Sequence, residues 1–216
     1  MAYPDVLIAI PVKPFGVAKR RLAPVLNAEQ RSRVGRAVAA HVITTARATG
    51  CRVAVVTADN GVSSWAGRLG VEVIREVGKG GLNQAAATAV STACRVDHAW
   101  MILHADLPAL TESELREALA ALPQRGALLA PSHNGGTSLI AGDLESFPFA
   151  YGRASFARHF AAVARLPHRL LVRPGFALDL DGPDDLATIV RLPAGNWLAE
   201  LIPRAVDEEP LTTRSR

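Results

Sequence analysis

Cysteine is almost absent from this chain: Cys51 and Cys94 are the only two. That excludes a framework of several disulfides and any four-cysteine zinc site. Both are expected to be small buried hydrophobes rather than a redox pair. No apolar stretch reaches the roughly 18 residues that a membrane helix needs. Met1-Ala2-Tyr3-Pro4-Asp5 places no basic stretch ahead of the apolar run that follows, so no signal peptide is expected. A cytoplasmic protein with no membrane contact is the expectation. The positive excess is small, +4 from 24 Lys and Arg against 20 Asp and Glu. It favours an anionic ligand but falls well short of the basic stripe of a nucleic-acid binder, so no nucleic acid is expected as partner.

Several catalytic signatures are missing as well. There is no Gly-x-x-x-x-Gly-Lys-Ser/Thr run, hence no ATPase-type P-loop. Gly78-Lys79-Gly80-Gly81 lacks the Gly-x-Gly-x-x-Gly spacing of a dinucleotide fingerprint. The histidines form no His-Glu-x-x-His pair and no serine sits in a Gly-x-Ser-x-Gly elbow, so zinc hydrolysis and acyl transfer lose support.

What is present is a chain of 216 residues with 49% hydrophobic content, enough for one core. Short branched runs are expected as strands at Val6–Ile10, Val53–Thr57, Val71–Ile74, Ala99–Leu103, Ala127–Ala130, Ser138–Ala141, Arg169–Val172 and briefly Leu178–Leu180. Helices are expected over Ala28 to about Thr49, Trp65–Leu69, Leu82–Ala93, Glu112 to about Leu122, Phe156–Leu166 and Asp184–Leu192. Asp59-Asn60-Gly61 reads as a closing turn. In the first long helix Val34, Val38 and Val42 are expected inward and Glu29, Arg33 and Arg36 outward. The signal weakens from Pro193, and Asp207–Arg216 is expected as a frayed tail. With no repeat or linker, a single domain over 1–203 and a tail over 204–216 are expected. Strands alternating with helices predict an α/β fold whose mostly parallel sheet is covered on both faces. Right-handed crossovers then gather the loops after the strands on one edge, where ligands of such folds bind.

The polar clusters lie at those strand ends. Lys13, with Lys19, Arg20 and Arg21 after it, follows the first strand and can hold diphosphate oxygens, although such a cluster is also compatible with a solvated face. Asp106 directly follows Leu103 with one residue pair between, and a carboxylate there is either a loop hydrogen-bond acceptor or an Mg²⁺ ligand. In Asp179-Leu180-Asp181, alternation is expected to turn only one carboxylate toward a given pocket, with Asp179 favoured as the ligand. His104, at the end of an apolar run, reads as a packed side chain more readily than as a base or ligand.

Ile10-Pro11-Val12-Lys13-Pro14, Ala18-Lys19-Arg20-Arg21-Leu22-Ala23-Pro24, Asp106-Leu107-Pro108-Ala109-Leu110 and Asp179-Leu180-Asp181-Gly182-Pro183-Asp184-Asp185-Leu186 together resemble the 2-phospho-L-lactate and phosphoenolpyruvate guanylyltransferases of coenzyme F-420 biosynthesis. These belong to a nucleotidyltransferase superfamily with the molybdenum-cofactor guanylyltransferases. The resemblance runs from about Val6 to Leu186. It implies a three-layer sandwich of the nucleotide-diphospho-sugar-transferase kind, a GTP substrate, a phosphorylated three-carbon acid as acceptor, pyrophosphate release and Mg²⁺. It implies that Lys13, Lys19 and Arg21, with Pro11 beside them, bind nucleotide phosphates. The Leu82-Asn83-x-Ala85 segment would lie near guanine, through Asn83, and Asp106 with Asp179 or Asp181 would hold the metal. Gly152, Ser155, Phe156 and His159 match the Gly-x-x-Ser-Phe-x-x-His segment beside the acceptor. A homodimer is allowed.

One segment departs from the family. Pro131-Ser132-His133-Asn134-Gly135-Gly136-Thr137-Ser138 stands where Pro-Asp-Arg-x-Gly-Thr-Gly-Thr-Asn is usual, and the loop is shorter. Gly136, Thr137 and Ser138 are expected to offer backbone and hydroxyl donors to the acceptor, and loss of the arginine clamp is expected either to weaken acceptor binding or to pass the clamping to another cation such as Arg153 or Arg158. The acceptor therefore stays open among phosphoenolpyruvate, 2-phospho-L-lactate and 3-phospho-D-glycerate. A molybdopterin or sugar phosphate, and a regulatory nucleotide-binding protein without catalysis, are the competing readings.

Overall fold

The structure is a computed structural model and describes residues 5–17, 19–76, 80–96 and 99–202. Seven strands form one sheet in the order β3-β2-β1-β4-β6-β5-β7. They are β1 (Val6–Pro11), β2 (Arg52–Thr57), β3 (Glu72–Arg75), β4 (Ala99–Leu103), β5 (Ala127–Pro131), β6 (Thr137–Gly142) and β7 (His168–Leu170). The pairs β1–β2, β1–β4, β2–β3 and β5–β7 are parallel, and β6 runs antiparallel to both β4 and β5. The reversal of β6 has a simple cause. The turn 132–136 is too short for a crossover, so the chain can only return as a hairpin. That hairpin brings the start of β6 to the same sheet edge as the ends of β1, β2 and β4.

Alternation along the strands sends side chains to two cores. Ile8 and Ile10 of β1, with Met101 and Leu103 of β4, face one layer, whereas Leu7, Ala9, Trp100 and Ile102 face the other. The first layer includes α1 (Ala28–Ala48), α2 (Asn60–Arg68) and α4 (Glu112–Ala120), and the second includes α3 (Gly81–Ala93) and α5 (Ser155–Val163). Val34, Val38 and Val42 of α1 are buried, as the periodicity predicts. Capping fixes where helices begin: Asn27 and Gln30 form a reciprocal capping box on α1, as do Thr111 and Glu114 on α4. A third core joins Leu22 and Leu26 to Val34 and Val38, and to Leu180, Leu186, Ile189 and Leu198. It packs the basic segment, the aspartate segment and α7 (Pro183–Ile189) against α1.

Some expectations need correction. The helix expected from Trp65 begins at Asn60, because Asp59 is its N-cap: the carboxylate accepts from Val62 N at 2.8 Å instead of closing a turn. No strand forms over 178–180, and the short α6 (Pro174–Ala177) precedes it, with Pro174 at the first helical position. The strand expected over 169–172 stops at Leu170. Beyond Pro193 the chain is not featureless, since a 3-10 helix spans Asn196–Leu201 with Leu198 fully buried. Cys51 is buried, but Cys94, the C-cap of α3, is exposed. The tail expected over 207–216, together with Gly78 and Lys79, lies outside the described residues. Among the described residues no helix is long and apolar enough to cross a membrane.

Candidate active site

A cleft of about 640 Å³ opens at the C-terminal ends of β1, β2 and β4. Pro11 and Lys13 border it from β1, His104 and Asp106 from β4, and Asp179 and Asp181 from the segment before α7. The sheet order makes this convergence possible, because β1 and β4 are neighbours although 87 residues separate Lys19 from Asp106.

Lys19 ties the three segments together. Its Nζ lies 2.9 Å from Asp106 Oδ2 and donates to Leu180 O at 2.6 Å, and Leu180 N donates to Asp106 O at 2.9 Å. Lys19 has a φ of 56°, a left-handed conformation that an L-residue adopts only where its surroundings hold it. The Lys19 side chain is only 9% exposed and that of Asp106 27%, so this pair is only partly screened by solvent. Burial pushes the Asp106 carboxyl up, but the Lys19 charge and then His104 outweigh it and hold the group below its ordinary range. Lys13 is exposed on the cleft rim. Arg21 is 78% exposed and reaches Asp181 Oδ2 at 3.4 Å, a solvated contact.

The two late aspartates do not divide as expected. Both line the same cleft, because residues two apart on an extended segment share a face, while Leu180 between them enters the third core. Their environments differ instead. Asp179 is buried and Asp181 half-buried. Asp179 is pushed up to about 6, first by burial and then by the charges of Asp106 and Asp181, despite a hydrogen bond from Asn134 Nδ2 at 3.0 Å. His133 stands where the family has other chemistry, with Nδ1 3.2 Å from Asp179 Oδ1 and Nε2 3.0 Å from Asp185 Oδ1. Burial lowers its pKa, but the bond with Ala177 O and the two carboxylates outweigh it, so it is raised. Asp185 Oδ2 in turn accepts from Asp181 N and Gly182 N, which fixes the aspartate segment. His133, Asn134 and Asp185 are site-shaping residues the sequence reading missed. Their signal was proximity in sequence to the departing loop and to Asp181.

The residues expected to meet the acceptor behave differently. Thr137 is buried, and its Oγ1 lies 2.9 Å from His159 Nδ1 and 3.1 Å from Ser155 Oγ. His159 Nε2 accepts from Ala150 N at 2.8 Å. That bond fixes the tautomer: the ring hydrogen sits on Nδ1 and goes to Thr137, whose own hydroxyl then donates to Ser155. Burial, with smaller contributions from Arg158 and His104, pushes His159 down to about 4, so it is neutral near pH 7. Ser138 Oγ donates to Phe176 O. The Thr137 and Ser138 hydroxyls are thus committed inside the protein. The Gly136 backbone is engaged as well, its N–H donating to Asn134 Oδ1 at 3.0 Å and its carbonyl accepting from Ser132 N at 3.1 Å, while Gly152 turns the chain with a φ of 127°. Arg158 Nη2 donates to Arg153 O, and both arginines are exposed. Asn83 Oδ1 accepts from Tyr151 N at 2.7 Å, which joins α3 to the Gly152 turn.

A divalent cation fits the carboxylates present. Asp106 Oδ1 and Asp179 Oδ1 are buried and have no hydrogen-bond partner. His104 Nδ1 is 3.9 Å from the former, and His133 Nδ1 approaches the latter without hydrogen-bond alignment. Two unpartnered carboxylate oxygens with a third carboxylate beside them make a hard oxygen-donor set. Among the described residues no group of three metal-binding side chains is already assembled. Mg²⁺ takes one or two carboxylates and completes its shell with phosphate oxygens and water.

The sequence model of the family described as guanylyl transferase, CofC like, matches residues 6–199. The chain belongs to this family. It is therefore a nucleotidyltransferase by descent, and the cleft occupies the edge where its motif residues converge. It is 35% identical to the phosphoenolpyruvate guanylyltransferase of Sphaerobacter thermophilus over 83% of this chain and 90% of that protein. To the 2-phospho-L-lactate guanylyltransferase of Methanobrevibacter smithii it is 26% identical, over 86% and 84%. Among solved structures, a protein described as a nucleotide-diphospho-sugar transferase from Desulfovibrio desulfuricans G20 superposes with a TM-score of 0.73 at 17% identity, covering 91% of this chain and 95% of that one. That likeness shows the fold, the expected three-layer sandwich.

Proposed function

We propose that this guanylyl transferase moves GMP from GTP to the phosphate of a three-carbon acid, phosphoenolpyruvate first among the candidates, and releases pyrophosphate. Lys19, Asp106, Asp179 and Asp181 at one sheet edge, with two carboxylate oxygens left unpartnered, carry this reading. Relatives sharing 35% and 37% identity that bear the phosphoenolpyruvate name favour that acid over phospholactate.

In the proposed reaction an acceptor phosphate oxygen attacks the α-phosphorus of GTP. The bond from that phosphorus to the bridging oxygen breaks, and the β and γ phosphates leave as pyrophosphate. The nucleophile is already anionic near neutral pH, so no general base is needed, and the site supplies alignment and charge neutralisation. Lys13 and Arg21 offer cations to the nucleotide phosphates from the cleft rim, with Pro11 in the cleft lining and Asn83 on α3 next to the lining residue Leu82. Lys19 holds Asp106 in place and brings its own charge to the same edge. Mg²⁺ held by Asp106 and Asp179, with Asp181 beside them, would add charge neutralisation at phosphate oxygens. Backbone groups of Gly136, Thr137, Ser138 and Gly152, braced by Ser155, border the acceptor side. Such a step belongs to coenzyme F-420 biosynthesis.

A pyrophosphate-release assay with GTP, ATP, CTP and UTP against phosphoenolpyruvate, 2-phospho-L-lactate and 3-phospho-D-glycerate tests this. GTP with phosphoenolpyruvate is expected to be the fastest pair. Binding of GTP with no turnover on any acid would overturn it.

A further inference from the structure

Four buried side-chain atoms among the described residues have no hydrogen-bond partner: Asp106 Oδ1, Asp179 Oδ1, His104 Nε2 and Tyr151 Oη. A desolvated polar atom left alone costs about 1–3 kcal/mol, so native proteins keep few of them and usually for a reason. The two carboxylate oxygens suit a cation. His104 and Tyr151 have no such explanation, yet they lie together, with ring centroids 5.2 Å apart.

Their placement is built rather than incidental. Strand alternation points His104 to the same face as Trp100 and Ile102, the layer that also contains Tyr151. His104 lines the cleft, and its Nδ1 is 3.9 Å from Asp106 Oδ1, which puts the pair beside the reacting edge. Tyr151 is clamped from three sides. Its backbone N–H goes to Asn83 Oδ1, its ring stacks with Phe149 at 5.9 Å, and the edge contact with His159 is 4.8 Å. The Thr137 and Ser138 hydroxyls donate inside the protein, whereas His104 Nε2, on a residue that lines the cleft, and Tyr151 Oη beside it have no partner at all.

We propose that His104 and Tyr151 bind the carboxylate of the acceptor acid and so select acids over plain phosphate esters. This rests on the guanylyl-transfer reading above. The cations and the acidic cluster gather on the side of the cleft suited to phosphates. A hydroxyl and an imidazole N–H are the kind of donors that suit the single charge of a carboxylate.

The experiment compares Tyr151→Phe and His104→Leu with the wild type on two acceptors, phosphoenolpyruvate and ethyl phosphate, which lacks the carboxylate. Each variant should raise the KM for phosphoenolpyruvate about tenfold and leave the KM for GTP within about twofold, the scale of one hydrogen bond to a charged group. With ethyl phosphate Tyr151→Phe should match the wild type, because the group its hydroxyl would bind is gone. Tyr151→Phe should melt no lower than the wild type, since it deletes a hydroxyl that has no partner in the free protein. An unchanged KM for the acid, equal losses on both acceptors, or a clearly lower melting temperature for Tyr151→Phe would overturn the inference while leaving guanylyl transfer intact. A wild-type protein inactive on every phosphorylated acid would sink both.

Discussion

Two polar clusters, one that lines the cleft and one that is buried outside its lining, are built on opposite plans. In the cluster of Lys19, Asp106 and Asp179, charges sit close together and two carboxylate oxygens lack partners. In the cluster of Thr137, Ser155 and His159, every one of those side chains is bonded to another, and all three are buried. The first arrangement leaves carboxylate oxygens open, whereas in the second each side chain is held by another. The comparison teaches that small polar residues beside a site can act by holding its backbone, and that capacity for a ligand is found where valences are left open.

The strongest way to break this contrast is at Lys19. Replacing it with Met leaves Asp106 buried without its partner, so kcat/KM for GTP should fall about 10²-fold, equivalent to about 3 kcal/mol. The acid limb of the pH–rate profile should also move to higher pH, because Asp106 loses the charge that holds its carboxyl down. A profile recorded from pH 5 to 8 checks both effects.

Acid unfolding sharpens the contrast, since each cluster contributes one buried group and the two oppose each other. His159 is neutral when folded down to about pH 4 but takes a proton near 6.5 when unfolded, so its contribution to stability is lost as pH falls from 6.5 toward 4. Asp179 ionises at about 6 when folded against 3.8 for the free group, so its penalty stands above pH 6 and is relieved as pH falls toward 3.8. Each gap corresponds to about 3 kcal/mol. Urea unfolding without divalent cations should give a shallow pH dependence in the wild type from these two groups. Asp179→Asn should be less stable in acid, and His159→Gln should show the opposite slope over the same range.

A smaller effect is expected at Thr137. Thr137→Val removes the hydroxyl that links His159 to Ser155 and should cost about 1–3 kcal/mol, seen as a drop of several degrees in melting temperature, with the KM for GTP unchanged. Arg21→Ala should change stability by no more than about 0.5 kcal/mol, because its contact with Asp181 is long and solvated. Any rise in its KM for GTP should shrink in added salt.

Much of this architecture was legible before any coordinates. The branched runs at Val6, Val53 and Ala99 read correctly because strands buried on both faces are continuous and apolar. The place of Asp106 at the sheet edge was legible because a polar residue soon after such a run has to emerge there. What escaped was decided by contacts rather than by period. Asp59 is a cap and not a turn, and Leu198 gains its place only by packing on Leu22, Leu180 and Ile189. The aspartate pair was misjudged although the two-residue period itself places Asp179 and Asp181 on one face. Thr137 and Ser138 looked available because a sequence shows hydroxyls but not their partners, and His104 looked like packing for the same reason.

The most direct test of the division between the clusters is the initial rate of pyrophosphate release from GTP and phosphoenolpyruvate, measured for Asp106→Asn and Thr137→Val at equal folded fraction beside the wild type. The open cluster should lose about 10²-fold or more in Asp106→Asn, while Thr137→Val retains the wild-type rate within about threefold. A fully active Asp106→Asn protein with a crippled Thr137→Val would contradict the account.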